Sequence, residues 1–250
     1  MIELIGLVKR YGALEAVSKL DLKIEPGEIF GFLGPNGAGK TTTVKLITGL
    51  LQPTEGTVRV AGFDVATHAI QAKQVMGLVP DEPFVYPKLT GAEFLRFIGE
   101  LYGVPVEEQR RRIPELLGMF ELTEFGGELV ESYSHGMRQK LVLGGILLHE
   151  PKVLILDEPM VGLDPKSARM AKEIFQTLAK RGVTIFMCTH VLEIAEKLCH
   201  RIGIMIKGKL IALGTLEELR SQAREGGKDL EDIFLSLTGG QEYSALLKNL

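Results

Sequence analysis

The chain has 250 residues, of which 45% are hydrophobic and 24% are charged, as expected for a globular domain with one sizeable core. Its 29 basic and 32 acidic residues leave a formal charge of −3, which gives no positive field for nucleic acid or anionic lipid. The apolar stretches are too short to cross a bilayer and the N-terminus has no signal-peptide pattern, so we expect a cytosolic protein with reduced, buried cysteines at Cys188 and Cys199 and no nucleic-acid partner.

The first part of the chain predicts strands joined by short polar turns. Apolar runs indicate strands at 2–9, 16–24, 29–33, 57–61 and 75–79, and a helix over 40–50. A turn around Tyr11-Gly12 separates the first two strands, which implies an antiparallel sheet edge.

From residue 90 the pattern becomes helical. The sequence Thr90-Gly91-Ala92-Glu93 matches a capping box, and apolar residues recur at helical spacing as far as Glu150. Continuous apolar runs at 153–156 and 183–187, separated by a helix over 167–180, are typical of central parallel strands. The sequence therefore predicts an α/β core with a helical insertion.

A phosphate-binding pattern follows the predicted strand 29–33. The segment Gly34-Pro35-Asn36-Gly37-Ala38-Gly39-Lys40-Thr41 fits G-x-x-x-x-G-K-[ST], whose glycines let backbone N–H groups converge on an anion. Lys40 would add charge for the outer phosphates, Thr41 a hydroxyl for Mg²⁺, and the following helix its positive end. ATP or GTP is the expected ligand, since a plain glycine turn would not account for Lys40 and Thr41.

Two acids, Asp157 and Glu158, follow the predicted strand 153–156. Open parallel sheets bind ligands at the edge formed by the C-terminal ends of their strands, where these two acids would lie. Asp157 can hold Mg²⁺ through water, and Glu158 can orient or deprotonate the water that attacks the γ-phosphate. The alternative is an acidic turn capped by Pro159, which leaves the acids beside a phosphate loop unexplained.

Two other positions each allow two interpretations. Ser134 and Gly136, before an apolar helical run, can form an anion site, or Ser134 can simply cap the helix. His190 can cap a turn, but its position after a predicted parallel strand favours a catalytic role.

Five segments, in chain order, resemble those of an ABC-transporter ATPase subunit: GPNGAGKT, YSHGMRQ, LILDEP, VGLDP and CTH. The resemblance covers essentially the whole chain and implies a P-loop NTPase (RecA-like) α/β core with an antiparallel β subdomain, at 1–87 and 151–214. It further implies an inserted helical subdomain at 88–150, which carries the signature segment, and a C-terminal helical tail at 215–250. In that tail Leu230, Ile233, Phe234 and Leu237 have helical spacing after a capping Asp229.

The resemblance also implies a head-to-tail dimer in which each ATP is held by both subunits. Ser134 and Gly136 would contact the γ-phosphate bound by the partner, and Asp164 would communicate across the interface. His190 would hydrogen-bond the γ-phosphate beside Glu158.

At the ATP site itself, the resemblance implies that Tyr11 stacks on adenine and that the phosphate-binding residues extend to Thr42. Thr41, Asp81 and Asp157 would hold Mg²⁺. Asp81 stands where the family usually has glutamine, and its carboxylate can still bind Mg²⁺ while adding negative charge.

The signature segment departs from the usual LSGGQ. Tyr133, His135 and Met137 replace its leucine, first glycine and glutamine. This segment and the C-terminal tail resemble the ABC-2 or drug-exporter branch.

The activity implied is ATP hydrolysis that powers export through a separate membrane-spanning subunit, at the cytoplasmic face of the cell membrane. The ATPase pair would be a homodimer or a pseudo-symmetric heterodimer. The segment 84–87 is either an exposed patch or a packed loop, and in the family it borders the groove that receives a helix of the membrane subunit. Two alternatives are a soluble ABC ATPase in translation or DNA repair, and a regulatory module that binds ATP without hydrolysing it.

Overall fold

The structure, a computed structural model, describes residues 1–222 and 230–238. Its elements in chain order are β1 (Ile2–Tyr11), β2 (Leu14–Ile24), β3 (Ile29–Leu33), α1 (Lys40–Ile47), β4 (Glu55–Val60), β5 (Phe63–Asp64), α2 (Ala69–Gln74), β6 (Met76–Val79), α3 (Gly91–Leu101), α4 (Val106–Met119), a 3-10 turn (Val130–Ser132), α5 (His135–Leu148), β7 (Val153–Asp157), α6 (Pro165–Lys180), β8 (Thr184–Cys188), α7 (Leu192–Leu198), β9 (Arg201–Ile206), β10 (Lys209–Gly214), α8 (Leu216–Gln222) and α9 (Leu230–Thr238).

The strands form two sheets. A four-stranded antiparallel sheet has the order β2-β1-β4-β5, and a six-stranded sheet has the order β10-β9-β3-β8-β7-β6. In the larger sheet every neighbouring pair is parallel except β9 and β10. Every residue of β3, β7 and β8 is buried, as the continuous apolar runs predicted. The predicted α/β class with an antiparallel sheet and inserted helices is confirmed.

The segment between β6 and β7 is mainly helical, with one isolated antiparallel bridge between Thr90 and Leu129. The predicted capping box is present at the start of α3: the Thr90 hydroxyl accepts from the Glu93 N–H at 3.2 Å, and the Glu93 carboxylate accepts from the Thr90 N–H at 2.8 Å. Apolar side chains of α3 and α5, including Leu95 and Leu141, share a core cluster with β7. This packing fixes α5 against the larger sheet.

Several predicted boundaries were wrong. The helix predicted over 40–50 ends at Ile47, because Gly49 adopts the left-handed backbone, φ 67°, that commonly ends helices. β1 continues to Tyr11, so the turn lies after this residue rather than around it. The last central strand is Thr184–Cys188, one residue later than predicted.

The hairpin of β9 and β10 was not predicted from the sequence. Its two-residue turn, Lys207 and Gly208, has φ of 46° and 81°. Two positive φ values match the twist of a tight hairpin, and glycine in the turn was the available signal.

The predicted C-terminal helix is confirmed as α9, whose Leu230 and Ile233 are fully buried beside Ala195 of α7. Its predicted cap, Asp229, lies outside the described residues. Cys188 and Cys199 are both free, but Cys199 is half-buried rather than buried and follows α7. None of the helices in the described ranges has the length and apolar content needed to cross a membrane.

Candidate active site

The C-terminal edge of the larger sheet brings together four of the predicted site segments. β6, β7, β8 and β3 are adjacent and parallel, with Val79 paired to Leu156, Asp157 to Cys188, and Cys188 to Phe32. Their C-terminal ends therefore lead into four neighbouring segments. These contain, in spatial order, Asp81, Asp157-Glu158, Thr189-His190 and the phosphate loop 34–41.

Two glycines of the phosphate loop are required by close packing. A Cβ at Gly34 would lie 2.3 Å from the Met205 carbonyl oxygen, and one at Gly39 would lie 2.3 Å from that of Ala16. Gly39 also has φ 111° and caps α1 without any side-chain hydrogen bond. The first turn of α1 therefore keeps N–H groups available for an anion.

Lys40 begins α1 and folds back over the loop. Its ammonium donates to the carbonyl oxygens of Gly34 at 2.6 Å and Pro35 at 3.2 Å. Thr41 is exposed and Thr42 is half-buried. Both contacts of Lys40 are within the loop, so the side chain can turn to a phosphate without disturbing the core.

Glu158 has the most constrained geometry in the site. Its φ of 50° is unusual for a residue with a side chain, and its N–H donates to the Cys188 carbonyl at 2.9 Å. Its Oε2 accepts from the Thr189 hydroxyl at 3.1 Å, and its Oε1 lies 2.8 Å from Nδ1 of His190. The Glu158 side chain is 14% exposed, against 63% for His190. Glu158 is thus fixed at both oxygens beside an accessible imidazole.

Negative charge accumulates around Asp157, which is buried. Its pKa is raised to about 6, chiefly by burial and then by Asp81 and Glu158, while Lys40 and Lys45 lower it. Such clustering favours a bound cation, and hydroxyl and carboxylate oxygens are the donors that Mg²⁺ prefers. Within residues 1–222 and 230–238, no cluster of three His, Cys, Asp or Glu side chains could hold a metal alone. The oxygen atoms of Thr41, Asp81 and Asp157 therefore fit an Mg²⁺ ion whose remaining ligands are phosphate oxygens.

The signature segment shows the capping geometry that was one of its two interpretations. The Ser134 hydroxyl accepts from the Met137 N–H at 3.3 Å at the start of α5. Asp164 likewise caps α6, with its carboxylate accepting from the Ser167 N–H at 3.0 Å and hydroxyl at 2.5 Å. In the described part of the chain, no hydrogen bond joins Ser134 or Gly136 to the phosphate loop.

Tyr11 ends β1 with an exposed ring. Its side chain is 48% exposed, and the Lys9 ammonium lies 5.3 Å from the ring centroid. The ring is accessible for stacking on a planar base.

Two contributors to the site were not singled out from the sequence. Thr189 binds Glu158, and its position beside His190 in CTH was the available signal. Gln139 is fully buried in α5, with its amide nitrogen 3.5 Å from the Pro159 carbonyl oxygen. A glutamine within an apolar helical run could have been recognised as a buried polar contact.

Comparison with known proteins supports the same identification. The family described as ABC transporter matches residues 17–161, more than half of the chain. The linearmycin resistance ATP-binding protein LnrL of Bacillus subtilis is 39% identical over 94% of this chain and 75% of its own length. The daunorubicin resistance ATP-binding protein DrrA3 of Streptomyces coeruleorubidus is 38% identical over 94% of this chain and 73% of its own.

Solved structures agree with the sequence relatives. An ATP-binding subunit of an ABC transporter, 32% identical, superposes with a TM-score of 0.91 over 95% of this chain and 99% of its own. The cassette MJ0796, solved as a dimer in a post-hydrolysis state with ADP and Pi, is 25% identical, with a TM-score of 0.79 over 86% of this chain and 99% of its own. The chain therefore belongs to the ABC transporter family, as an ATP-binding subunit that hydrolyses ATP.

Proposed function

We propose that this chain is the motor of an export system whose substrate path lies in a separate membrane-spanning subunit, at the cytoplasmic face of the cell membrane. Relatives at 37–39% identity are named for linearmycin resistance, daunorubicin resistance and Nod factor export, which supports the export direction. The observation that carries the proposal is the convergence of the phosphate loop, Asp157-Glu158 and His190 on adjacent strand ends.

ATP binds with its base on Tyr11 and its phosphates in the loop. The exposed ring of Tyr11 offers a stacking face. The polar side chains that face the phosphates are those of Lys40, Thr41 and Thr42. Backbone N–H groups come from the loop residues other than Pro35, which has no N–H and shapes the turn. The whole phosphate-binding segment is Gly34, Pro35, Asn36, Gly37, Ala38, Gly39, Lys40, Thr41 and Thr42. Lys40 exchanges its contacts with the loop carbonyls for the outer phosphates, where a charge-assisted bond is stronger.

Mg²⁺ is held by Thr41, Asp81 and Asp157. When bound, it neutralises phosphate charge and orients the γ-phosphate. The three residues contribute a hydroxyl and two carboxylates. Burial, followed by the charges of Asp81 and Glu158, raises the Asp157 pKa, and a bound cation would offset both effects. The family usually has an uncharged amide at the position of Asp81. A carboxylate there offers Mg²⁺ more negative charge than the usual pattern does.

Hydrolysis uses Glu158 to orient the attacking water and accept its proton. A carboxylate held by Thr189 and His190 at separate oxygens loses little rotational freedom when water binds. His190, which is largely exposed, reaches the γ-phosphate from the adjacent strand end. Both are catalytic residues in this proposal.

Two copies of the chain, or this chain and a similar one, bind head to tail. Ser134 and Gly136 contact the γ-phosphate held by the other subunit, and Asp164 lies across the interface. The N-terminus of α5, with its Ser134 cap, provides the N–H groups that an anion needs. The dimeric state of MJ0796 with ADP and Pi supports this arrangement.

The membrane subunit binds an exposed aromatic cluster of Phe84, Tyr86 and Phe97. These side chains are 75%, 43% and 36% exposed, and consecutive rings meet edge to face at 5.9 and 5.1 Å. A rigid apolar patch of this kind suits an apolar helix face of a partner.

The test is Glu158→Gln, with phosphate release and dimer fraction measured on one sample containing Mg²⁺ and ATP. The variant keeps the size of the side chain but not its basicity, so turnover should fall at least 10²–10⁴-fold while an ATP-bound dimer accumulates. Glu107→Gln, on an exposed face of α4, should behave as wild type. Near-normal turnover in Glu158→Gln, or lost turnover without a dimer despite ATP binding, would contradict the motor mechanism.

The export role needs a second measurement. The chain should co-purify with a neighbouring gene product that contains several membrane-length apolar stretches, and Phe84→Asp with Tyr86→Asp should abolish that association without changing ATP affinity. Association with a translation factor or a nuclease instead would favour a soluble ATPase.

A further inference from the structure

His135, one of the three residues that depart from the usual signature, lies directly against the turn that follows Glu158. A Cβ placed on Gly162 would be 2.3 Å from Cδ2 and 2.8 Å from Nε2 of the His135 ring. A Cβ on the adjacent Gly136 would likewise approach the Gly162 carbonyl oxygen to 3.0 Å. The first turn of α5 and Gly162 are therefore packed with no room for an added methyl group.

The turn that receives His135 leads directly from Glu158 to Asp164. Its hydrogen bonds run from the Val161 N–H to the Glu158 carbonyl at 3.2 Å and from the Leu163 N–H to the Met160 carbonyl at 3.3 Å. Gly162 has φ 77°, a left-handed backbone that an L side chain rarely adopts. The turn between Glu158 and Asp164 is therefore short and internally hydrogen-bonded.

A second contact between α5 and this turn lies one helical turn further along. The buried Gln139 amide nitrogen is 3.5 Å from the carbonyl oxygen of Pro159, the residue after Glu158, and the Gln139 Oε1 has no hydrogen-bond partner among the described residues. α5 thus meets the turn beside Glu158 through Gln139 and at its far side through His135. The two contacts restrict how the turn can move relative to α5.

We propose that His135 is a positioning residue that couples the two ATP sites: a phosphate bound at the start of α5 shifts the ring against Gly162 and so aligns Glu158 at the same subunit's own site. This rests on the proposed function, since only a head-to-tail dimer places a γ-phosphate on α5. His135 acts through the turn and touches neither the reacting water nor the ATP of its own subunit.

The test is a double-mutant cycle of His135→Gly and Gly162→Ala. In wild type, Gly162→Ala should lower kcat at least about tenfold, because the methyl group meets the ring. In the His135→Gly background the same change should cost only about threefold or less. His135→Gly alone should leave ATP affinity of the monomer and the melting temperature unchanged, and lower the Hill coefficient of ATPase activity toward 1. Gly103→Ala is the matched control, because Gly103 has φ 70° and a Cβ added there would meet nothing within 4 Å.

Either of two results would overturn the coupling role. One is an equal fold decrease in kcat for Gly162→Ala in the two backgrounds, and the other is an unchanged Hill coefficient in His135→Gly. The control for the proposed function is the wild-type chain in the same assays. If it neither hydrolyses ATP nor dimerises with ATP, the proposed function fails and this inference with it. If it does both while the cycle is additive, only the inference fails.

Discussion

Nδ1 of His190 and Oε1 of Glu158 lie 2.8 Å apart, although 32 positions separate the two residues in the chain. A carboxylate can only accept, so the imidazole donates from Nδ1. Nε2 is then an acceptor in the neutral ring and a second donor in the protonated ring. A contact between His190 and a γ-phosphate oxygen is therefore made through Nε2, the ring nitrogen that Glu158 does not engage.

The first prediction concerns this pair. His190→Ala removes the partner of Oε1 and leaves only Thr189 on Glu158, so the carboxylate gains rotational freedom. We expect kcat to fall roughly 10²-fold, as for loss of one preorganised catalytic contact, with ATP affinity changed little. Phosphate release and equilibrium ATP binding measure the two effects. The control is His68→Ala, which replaces an exposed histidine outside the site. If the two variants were equally active, His190 would only cap a turn.

Lys40→Ala tests the phosphate loop. Among the described residues, the ammonium donates to the carbonyls of Gly34 and Pro35 within the loop, so its removal should leave the melting temperature unchanged. ATP affinity should fall by about 10–100-fold, the usual worth of a charge-assisted hydrogen bond. Calorimetric titration gives the affinity. Lys45→Ala, which removes another nearby cation outside the loop, should bind ATP much more tightly than Lys40→Ala.

Tyr11→Ala tests the base contact. Loss of one stacking ring should weaken ATP binding by about 1–3 kcal/mol. Binding of inorganic triphosphate should not change, because this ligand has no base. The comparison of these two ligands separates stacking from any effect on the loop. Tyr86→Ala removes an exposed tyrosine outside the ATP site and should change neither affinity.

Asp81→Gln restores the family's usual amide. It removes the second-largest cause of the raised Asp157 pKa, so that pKa should fall toward its ordinary value. Mg²⁺-ATP should still bind and be hydrolysed, with kcat within about tenfold of wild type, because an amide oxygen also ligates Mg²⁺. Steady-state ATPase assays across Mg²⁺ concentrations provide the measurement. Complete loss of turnover would give the Asp81 carboxylate a role that an amide cannot fill.

The parts of the site that could be predicted from the sequence are those set by local pattern. The phosphate loop follows buried β3, and Asp157-Glu158 lies at the C-terminal end of buried β7. The parallel arrangement of the strands brings these ends together regardless of the chain between them. The helix start at Thr90 was also predicted, because its capping box spans only four residues.

Contacts between distant segments were not predicted. The packing of His135 on Gly162 and of Gln139 on Pro159 depends on how α5 lies across the sheet, which no local pattern encodes. The fold-back of Lys40 onto Gly34 was also missed, since the motif specifies the ligand-bound role of this lysine and not its partners without ligand.

The last prediction concerns acid stability and a half-buried histidine in the helical part of the chain. The ring of His149 stacks on Tyr102 with centroids 3.7 Å apart and an angle of 7°, and its Nδ1 has no hydrogen-bond partner in the described residues. Burial, with a smaller effect of the Arg112 charge, lowers the pKa of His149 from 6.5 to about 4. The folded protein therefore holds His149 neutral where the unfolded chain binds a proton.

The stability contribution of neutral His149 is complete above pH 6.5 and is lost as pH falls from 6.5 to about 4. The total loss is about 3 kcal/mol, of which about 2 kcal/mol is reached by pH 5. His149→Phe keeps a flat ring against Tyr102 but cannot titrate. Urea unfolding at pH 7.5 and pH 5.0 should thus show a loss of unfolding free energy that is about 2 kcal/mol smaller in His149→Phe than in wild type. Equal losses in the two proteins would mean that His149 is protonated in the folded state near its ordinary pKa.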